Sequence, residues 1–235
     1  MSDILYVVMP AYNEEENIEK SVRDWLAVLE GKDERSRIVV ADSGSEDGTH
    51  NILVKMQKEI PQLMILGDTL KQHGPKLIAL YNFAIEQGAD YVFQTDSDGQ
   101  TNPLEFEAFW NERDKYDAIL GWRRKRGDGR IRLFVEKVLC RIIKAVFRVD
   151  IPDSNAPFRL ISARVLSKYM NRFPEDYNLP NVMLSVFLKY YEHEVLYKEI
   201  TFQNRKAGKN SINISRIVSI GLKSLRDFRK YAKMM

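Results

Sequence analysis

The chain has 235 residues, 44% apolar and 29% charged, with a net charge of +3, the composition of an ordinary globular protein with enough apolar content for one large core or two small ones. The lone Cys140 excludes an internal disulfide and fits a reducing compartment, with the thiol buried and inert. No segment approaches the roughly 20 apolar residues that cross a bilayer, so any membrane contact is expected to be peripheral.

Ile4-Leu5-Tyr6-Val7-Val8-Met9 is a continuous apolar run, as in a strand covered on both faces, and is expected to stop at Pro10. It is too short for a secretory leader and lacks a basic start. Asn13 is placed to cap a helix whose buried face is Ile18, Val22, Trp25, Leu26 and Leu29, with Glu14, Glu15 and Glu16 at the positive end of its dipole. Arg37 to Ala41 reads as a second strand, ending in Asp42-Ser43-Gly44-Ser45-Glu46-Asp47-Gly48-Thr49 before a helix that buries Ile52, Leu53 and Met56. The glycines let this loop turn tightly, and Asp42 can accept hydrogen bonds from a nucleobase or ribose. The loop is neither a Walker phosphate loop nor a G-x-G-x-x-G fingerprint, which removes the main support for ATPase and dinucleotide readings.

Leu63 to Leu66 reads as a third strand, and Lys71-Gln72-His73-Gly74-Pro75-Lys76 leads to a helix from Leu77 to Glu86. Lys76 opposes the dipole of that helix unless an anion lies close by. His73 has no ligand-spaced partner and reads as an ordinary loop residue. Tyr91-Val92-Phe93-Gln94-Thr95 then runs as a buried strand into Asp96-Ser97-Asp98-Gly99-Gln100 and turns towards Pro103. In an open α/β sheet ligands sit beyond the carboxyl ends of the strands, where two carboxylates can hold a divalent cation against a phosphate. The same residue types also make surface turns.

In the second half, Asp117 to Trp122 reads as a strand entering a basic loop at Arg123. Phe134, Val135, Val138, Leu139, Ile142 and Val146 recur at helical spacing opposite Arg132, Glu136, Arg141, Lys144 and Arg148. The tail repeats the pattern, with Ile214, Ile217, Val218, Gly221, Leu222, Leu225 and Phe228 against Arg216, Lys223, Arg226, Arg229, Lys230 and Lys233. Ten lysines and arginines lie between Arg123 and Arg148 and nine between Arg205 and Met235, which leaves the rest of the chain acidic. Such confinement points to an anionic partner. Basic amphipathic helices lie in anionic membrane interfaces, each cation adding about 1 kcal/mol near the surface. The tail is expected there; for the inner helix, packing on the core stays open.

Pro10-Ala11-Tyr12-Asn13-Glu14, Asp42 to Thr49 and Asp96 to Gln100, in this order and spacing, resemble the family 2 glycosyltransferases of the GT-A fold. The resemblance implies one α/β domain over 1–212, with a Rossmann-like nucleotide-binding half and a mostly parallel sheet flanked by helices, followed by a basic amphipathic C-terminal helix over 213–235. It implies that Pro10, Ala11, Tyr12, Glu14, Asp42 and Ser43 hold the nucleotide of a UDP- or GDP-sugar. It further implies that Asp96, Asp98 and Gln100 hold Mg2+ or Mn2+ on the diphosphate. Gly121-Trp122-Arg123, Phe158-Arg159-Leu160 and Arg205-Lys206-Ala207-Gly208-Lys209-Asn210-Ser211 are similar to the polyprenyl-phosphate sugar transferases, including the dolichyl- and undecaprenyl-phosphate enzymes. By that likeness Arg123 and Arg159 serve the phosphates and Arg205, Lys209 and Ser211 join the donor site, where Lys76 is also expected from its place at a helix start. Two departures stand out: Asn155-Ala156-Pro157 where a glycine commonly precedes Phe-Arg, and His73-Gly74-Pro75-Lys76 in place of a more glycine-rich loop.

The expected activity is inverting, metal-dependent transfer of a sugar from a nucleotide donor to a polyprenyl phosphate at the cytoplasmic face of the cell membrane. A lipid phosphate, with a second pKa of about 6, is ionised at neutral pH and needs no protein base. A sugar hydroxyl, the acceptor of the rival reading, would need one, and Asp176 after Phe173-Pro174-Glu175 is the candidate. A non-catalytic nucleotide-sugar-binding scaffold is the second rival. A second copy of the chain or a membrane protein stays open as partner. Nucleic acid is not expected, because the strand-end loops are acidic and the basic segments lack a stacking platform.

Overall fold

Seven strands form one sheet in the order β3-β2-β1-β4-β6-β5-β7, and every helix follows from what those strands must cover. In chain order the elements are β1 (Leu5–Ala11), α1 (Ile18–Leu26), β2 (Arg37–Asp42), α2 (Thr49–Glu59), β3 (Leu63–Leu66), α3 (His73–Glu86), β4 (Tyr91–Thr95), α4 (Phe106–Trp110), β5 (Ala118–Trp122), α5 (Arg130–Phe147), β6 (Phe158–Ser162), α6 (Ala163–Leu166), α7 (Pro180–Tyr190), β7 (Val195–Glu199) and α8 (Ile214–Met234). The computed structural model describes residues 2–125, 129–204 and 214–235, with backbone alone for 130, 131 and 214–223. The strands pair in parallel except β6, which runs against both β4 and β5.

Both faces of the sheet are buried. Leu5, Val7, Met9, Ile38, Val40 and Phe93 pack under α1, α2 and α4, while Tyr6, Val8, Val39, Val92 and Leu120 pack under α3, α5 and α7. Strands covered on both sides read as unbroken apolar runs, as the first half of the chain does. β1 does not stop at Pro10 but continues to Ala11. Its ladder with β4 ends at Val8↔Gln94, while the pairing with β2 carries on through Pro10↔Ala41 and Ala11↔Asp42. Pro10 therefore sits where the β4 ladder no longer asks for a donor, the place a sheet tolerates proline. The same divergence of β1 from β4 opens the cleft at the top of the sheet.

Three local expectations are corrected. Asn13 does not cap α1: its φ of 53° puts it in the left-handed region, and the helix begins at Ile18 with Asn17 as N-cap. α3 starts at His73, four residues before Leu77. The tail is not wholly available to a membrane, because the C-terminal half of α8 packs on the body. Phe228 meets the Phe147 ring at 5.7 Å, and Tyr231 lies 5.5 Å from Tyr177 and donates to the Arg172 carbonyl at 3.1 Å. That part of its apolar stripe is already covered; the side chains of Ile214, Ile217, Val218 and Leu222 lie outside the described set. On α5, Ile143 and Phe147 are buried, whereas Phe134 is 64% exposed. Among the described residues no helix is long and apolar enough to cross a membrane.

Candidate active site

The chain goes from β1 through α1 to β2 on one side and returns from β3 through α3 to β4 on the other. The β1/β4 gap is thus the switch point, where open α/β sheets bind ligands. The first two loops are stitched together there. Asn13 accepts from the Glu46 amide at 2.8 Å, Glu15 accepts from the Gly48 amide at 2.8 Å, and the Glu14 amide donates to Thr49 Oγ1 at 2.8 Å. Holding Asn13 left-handed lets its side chain reach across to the second loop, which a helix-capping conformation would not.

Asp42, only 3% exposed, ends β2 directly beside Ala11. Its carboxylate accepts from Ser45 Oγ at 2.5 Å and lies 3.1 Å from His50 Nδ1. Ser43 donates to the Thr69 carbonyl at 2.7 Å, and Glu14 is buried and accepts from Asn17. Tyr12 is half-buried between two cations, with Lys71 Nζ 4.8 Å and Lys76 Nζ 5.5 Å from its ring centre. Lys76 is 1% exposed and donates to the Ala11 carbonyl at 2.5 Å. Burial pushes its ammonium down to about 8, partly offset by the Asp42 carboxylate. It thus braces β1 and Tyr12 at the head of α3.

The carboxylate pair follows the carboxyl end of β4, beside this switch point. Ser97, between the two acids, is buried; it donates to the Pro10 carbonyl at 3.0 Å, and its own carbonyl accepts from Ser21 of α1 at 2.8 Å. With the middle residue pinned inward, Asp96 and Asp98 on either side of it stay partly exposed. Asp96 Oδ1 accepts from Gln94 Nε2 at 3.2 Å and lies 3.3 Å from His73 Nε2, so His73 is part of the site and not a bystander. Asp98 accepts from the Gln100 amide at 3.1 Å. Gln100 donates its side-chain amide to the Gln203 carbonyl at 2.8 Å and accepts from the Gln203 amide at 2.9 Å, which ties the loop to the segment ahead of Arg205. Arg205, Lys209 and Ser211 lie outside the described residues.

The second-half arginines go elsewhere. Arg159 is fully buried on the α7 face of β6, beside Gln94 in the ladder. It donates to the carbonyls of Ala156, Asn181 and Ser154 at 2.9, 2.9 and 2.6 Å and to Ser185 Oγ at 3.0 Å. Fully buried, it braces β6 against α7, and the partners described for it are three carbonyls and a hydroxyl rather than an ion pair. Arg123 forms a two-pronged pair with Asp153, both contacts 2.8 Å, under the Phe202 ring. At 6% exposure its charge is already matched. Asp176 is exposed, on a loop whose Tyr177 and Asn178 carbonyls press on Gly74; a Cβ there would meet them at 2.4 and 2.5 Å. The loop thereby sits against the start of α3, next to His73.

Among the described residues no three His, Cys, Asp or Glu side chains gather into a ready-made metal cage. Mg2+-type ions are commonly held by one or two carboxylates together with substrate phosphates, with oxygen donors throughout. Asp96 and Asp98, two acids just past the carboxyl end of β4, the first of them beside His73 at the start of α3, fit that donor set.

The sequence model described as Glycosyl transferase family 2 matches residues 6–170. An uncharacterized glycosyltransferase of Synechocystis sp. is 30% identical over 178 residues, 73% of this chain and 54% of that protein. The undecaprenyl-phosphate 4-deoxy-4-formamido-L-arabinose transferase of Shewanella sediminis is 25% identical over 166 residues, 70% of this chain and 50% of that one. The chain thus spans about half the length of the curated relatives it matches. Among solved structures, glucosyl-3-phosphoglycerate synthase of Mycobacterium tuberculosis, in complex with Mn2+, UDP-glucose and glycerol 3-phosphate, superposes with a TM-score of 0.68 at 16% identity, covering 98% of this chain and 80% of that chain.

Proposed function

The chain belongs to glycosyl transferase family 2, and from that premise we propose that it moves a sugar, with inversion, from a nucleotide-diphosphate donor to a polyprenyl phosphate. The observation that carries this reading is the convergence of Pro10 to Tyr12, Asp42, Ser97 and the Asp96/Asp98 pair on the β1/β4 switch point. Tyr12, Asp42 and Ser43 line the side for the nucleoside, and the head of α3 lies across from them. Asp96 and Asp98 would hold Mg2+ or Mn2+, which when bound supplies the positive charge that stabilises the departing diphosphate. The remaining help comes from the chain itself: the positive end of the α3 dipole, with the free His73 and Gly74 amides ahead of Pro75, favours negative charge, and Lys76 holds β1 and Tyr12 in register behind it.

A lipid phosphate acceptor arrives already ionised, so the chain needs only to place it in line with the anomeric carbon. The resemblance of the curated relative from Shewanella supports such an acceptor. Phe134, exposed on α5 among Arg132, Lys137 and Arg141, supports a peripheral contact with an anionic surface. A second reading, transfer to a sugar hydroxyl, is favoured by one observation: the Asp176 loop rests on Gly74 beside His73, on the side of Asp96. The experiment is transfer of labelled sugar from a panel of UDP- and GDP-sugars, with Mn2+, to undecaprenyl phosphate. Lipid-dependent label that survives Asp176→Asn supports the proposal. Label on sugar acceptors alone, lost in Asp176→Asn, replaces it with the second reading.

A further inference from the structure

Beneath Asp96 lies a line of polar side chains that no step of the transfer uses. Gln94 is fully buried in the apolar run of β4, and its Nε2 donates to Asp96 Oδ1 at 3.2 Å. Its Oε1 accepts from Asn181 Nδ2 at 3.0 Å, and Asn181 Oδ1 accepts from Tyr81 Oη at 2.8 Å. Tyr81 is 0% and Asn181 2% exposed, and the Asn181 carbonyl accepts from Arg159. Three elements, α3, α7 and β4, are thus joined in one row that ends on the acid.

The row has a direction, and Asp96 imposes it. An ionised carboxylate only accepts, so Gln94 must turn its NH2 towards Asp96 and its oxygen towards Asn181. Asn181 must then present its own NH2 to Gln94 and its oxygen to Tyr81, which has to donate. Burial raises the Tyr81 phenol far above its usual range and keeps that proton in place. Reversing any one amide would set two acceptors against each other in a buried site, which costs the full desolvation penalty of the unpaired groups. Both Gln94 and His73 converge on Oδ1, and among the described residues no donor meets Oδ2.

We propose that Tyr81, Asn181 and Gln94 are positioning residues for Asp96: a buried one-way relay that holds Oδ1 and turns Oδ2 to a divalent cation. The inference rests on the reading of Asp96 as a cation ligand. It assigns Arg159 an indirect part as well, since its hydrogen bonds fix the backbone of Asn181 and of the 154–156 loop below it. A cation ligand held by a buried partner is rigid before the ion arrives, and removal of such outer partners commonly weakens metal affinity about 10- to 100-fold.

The test titrates Mn2+ into the full chain in the presence of UDP or GDP, whichever the wild type binds, and repeats the nucleotide titration in EDTA. Gln94→Met keeps the volume and removes the amide; its Mn2+ affinity is expected to fall about 10- to 100-fold, with nucleotide affinity in EDTA unchanged. Tyr81→Phe removes only the distal hydroxyl and keeps the packing, so its loss is expected to be smaller, about five-fold. A merely structural row would lower thermal stability and both affinities together. Mn2+ affinities equal to wild type in both variants overturn the relay, as does an equal loss in EDTA. Should Gln94→Met fail to fold, the Tyr81→Phe split alone decides between the two. A wild type that takes up no Mn2+ and neither nucleotide overturns the donor-site reading itself, and the relay with it.

Discussion

The two halves of this molecule treat charge in opposite ways. In the β1-to-β4 half the polar groups stand at strand ends and face the cleft: Tyr12 and Asp98 are half-buried, and the Asp96 side chain is 26% exposed. In the β5-to-α8 half the arginines that look most like ligands are sealed. Arg159 is fully buried among carbonyls, and Arg123 is locked to Asp153. The difference follows from the sheet. Parallel strands all deliver their carboxyl ends to one rim, whereas the antiparallel β6 carries Arg159 along its middle, under α7. Position along the strand accounts for Arg159, whereas Arg123, just past the carboxyl end of β5 on that same rim, is taken out of play by its pair with Asp153.

The sharpest way to break this contrast is to treat the sealed arginines as ligands and find that they behave so. Arg159→Met should cost about 3–5 kcal/mol in urea unfolding, because it strands buried carbonyl acceptors as well as removing a charge. Asp153→Ala should cost a similar amount, because it leaves Arg123 only the longer 3.9 Å approach of Glu136 among the ion pairs described and strands the buried Arg123 amide, while Asp153→Asn, which can still accept from that amide, should cost less. If instead Arg159→Met unfolds like the wild type and loses only turnover, the second half holds a phosphate ligand after all.

The first half predicts the reverse pattern. Asp98→Ala should leave the unfolding midpoint nearly unchanged and lower transfer about 10²- to 10³-fold, with the Mn2+-dependent thermal shift in UDP abolished. An unchanged shift would remove Asp98 from the metal site. A large loss of stability would make the rim acid structural and erase the contrast between halves.

What could be read in the sequence divides along the same line. β2, β3 and β4 and the three loops of the first half are local patterns, an apolar run followed by turn residues and acids, and they were legible to within a residue or two. α7 was missed because it is buried from Pro180 to Leu188 and so lacks the polar stripe by which periodicity marks a helix. β7 is short and only half-covered, and its Val-Leu-Tyr-Lys-Glu carries little alternation. His73 read as a loop residue because its partner, Asp96, is 23 positions away and only the meeting of α3 with β4 brings them together. Gln94 carries a signal in the sequence, since an amide inside a fully buried strand must find partners, and it finds them in Asp96 at the strand end and Asn181 of α7. Arg159 could not be placed from sequence, since its acceptors are main-chain carbonyls of 154, 156 and 181 and the Ser185 hydroxyl, brought together only by the packing of α7 on β6.

Lys76 is the residue that sharpens the comparison most finely, because it belongs to the first half yet is buried like the arginines of the second. With a folded pKa lowered from 10.5 to about 8, it binds its proton less tightly in the folded chain than in the unfolded one. Between pH 8 and 10.5 the unfolded chain therefore carries more protons, and stability contributed at this position must rise with pH. Below pH 8 both states are protonated and the penalty for the buried charge is constant. The buried tyrosines, whose pKa values are raised, oppose this trend at the alkaline end, so the measurement is the difference between wild type and Lys76→Met across the window. The wild type should gain up to about 3 kcal/mol relative to the variant. A flat difference would mean that Lys76 keeps its proton through Asp42 and acts as a standing cation. Repeating the series with bound UDP separates the two uses: a diphosphate within reach holds the proton on Lys76 and flattens the slope, whereas a lysine that only braces Ala11 and Tyr12 titrates as before.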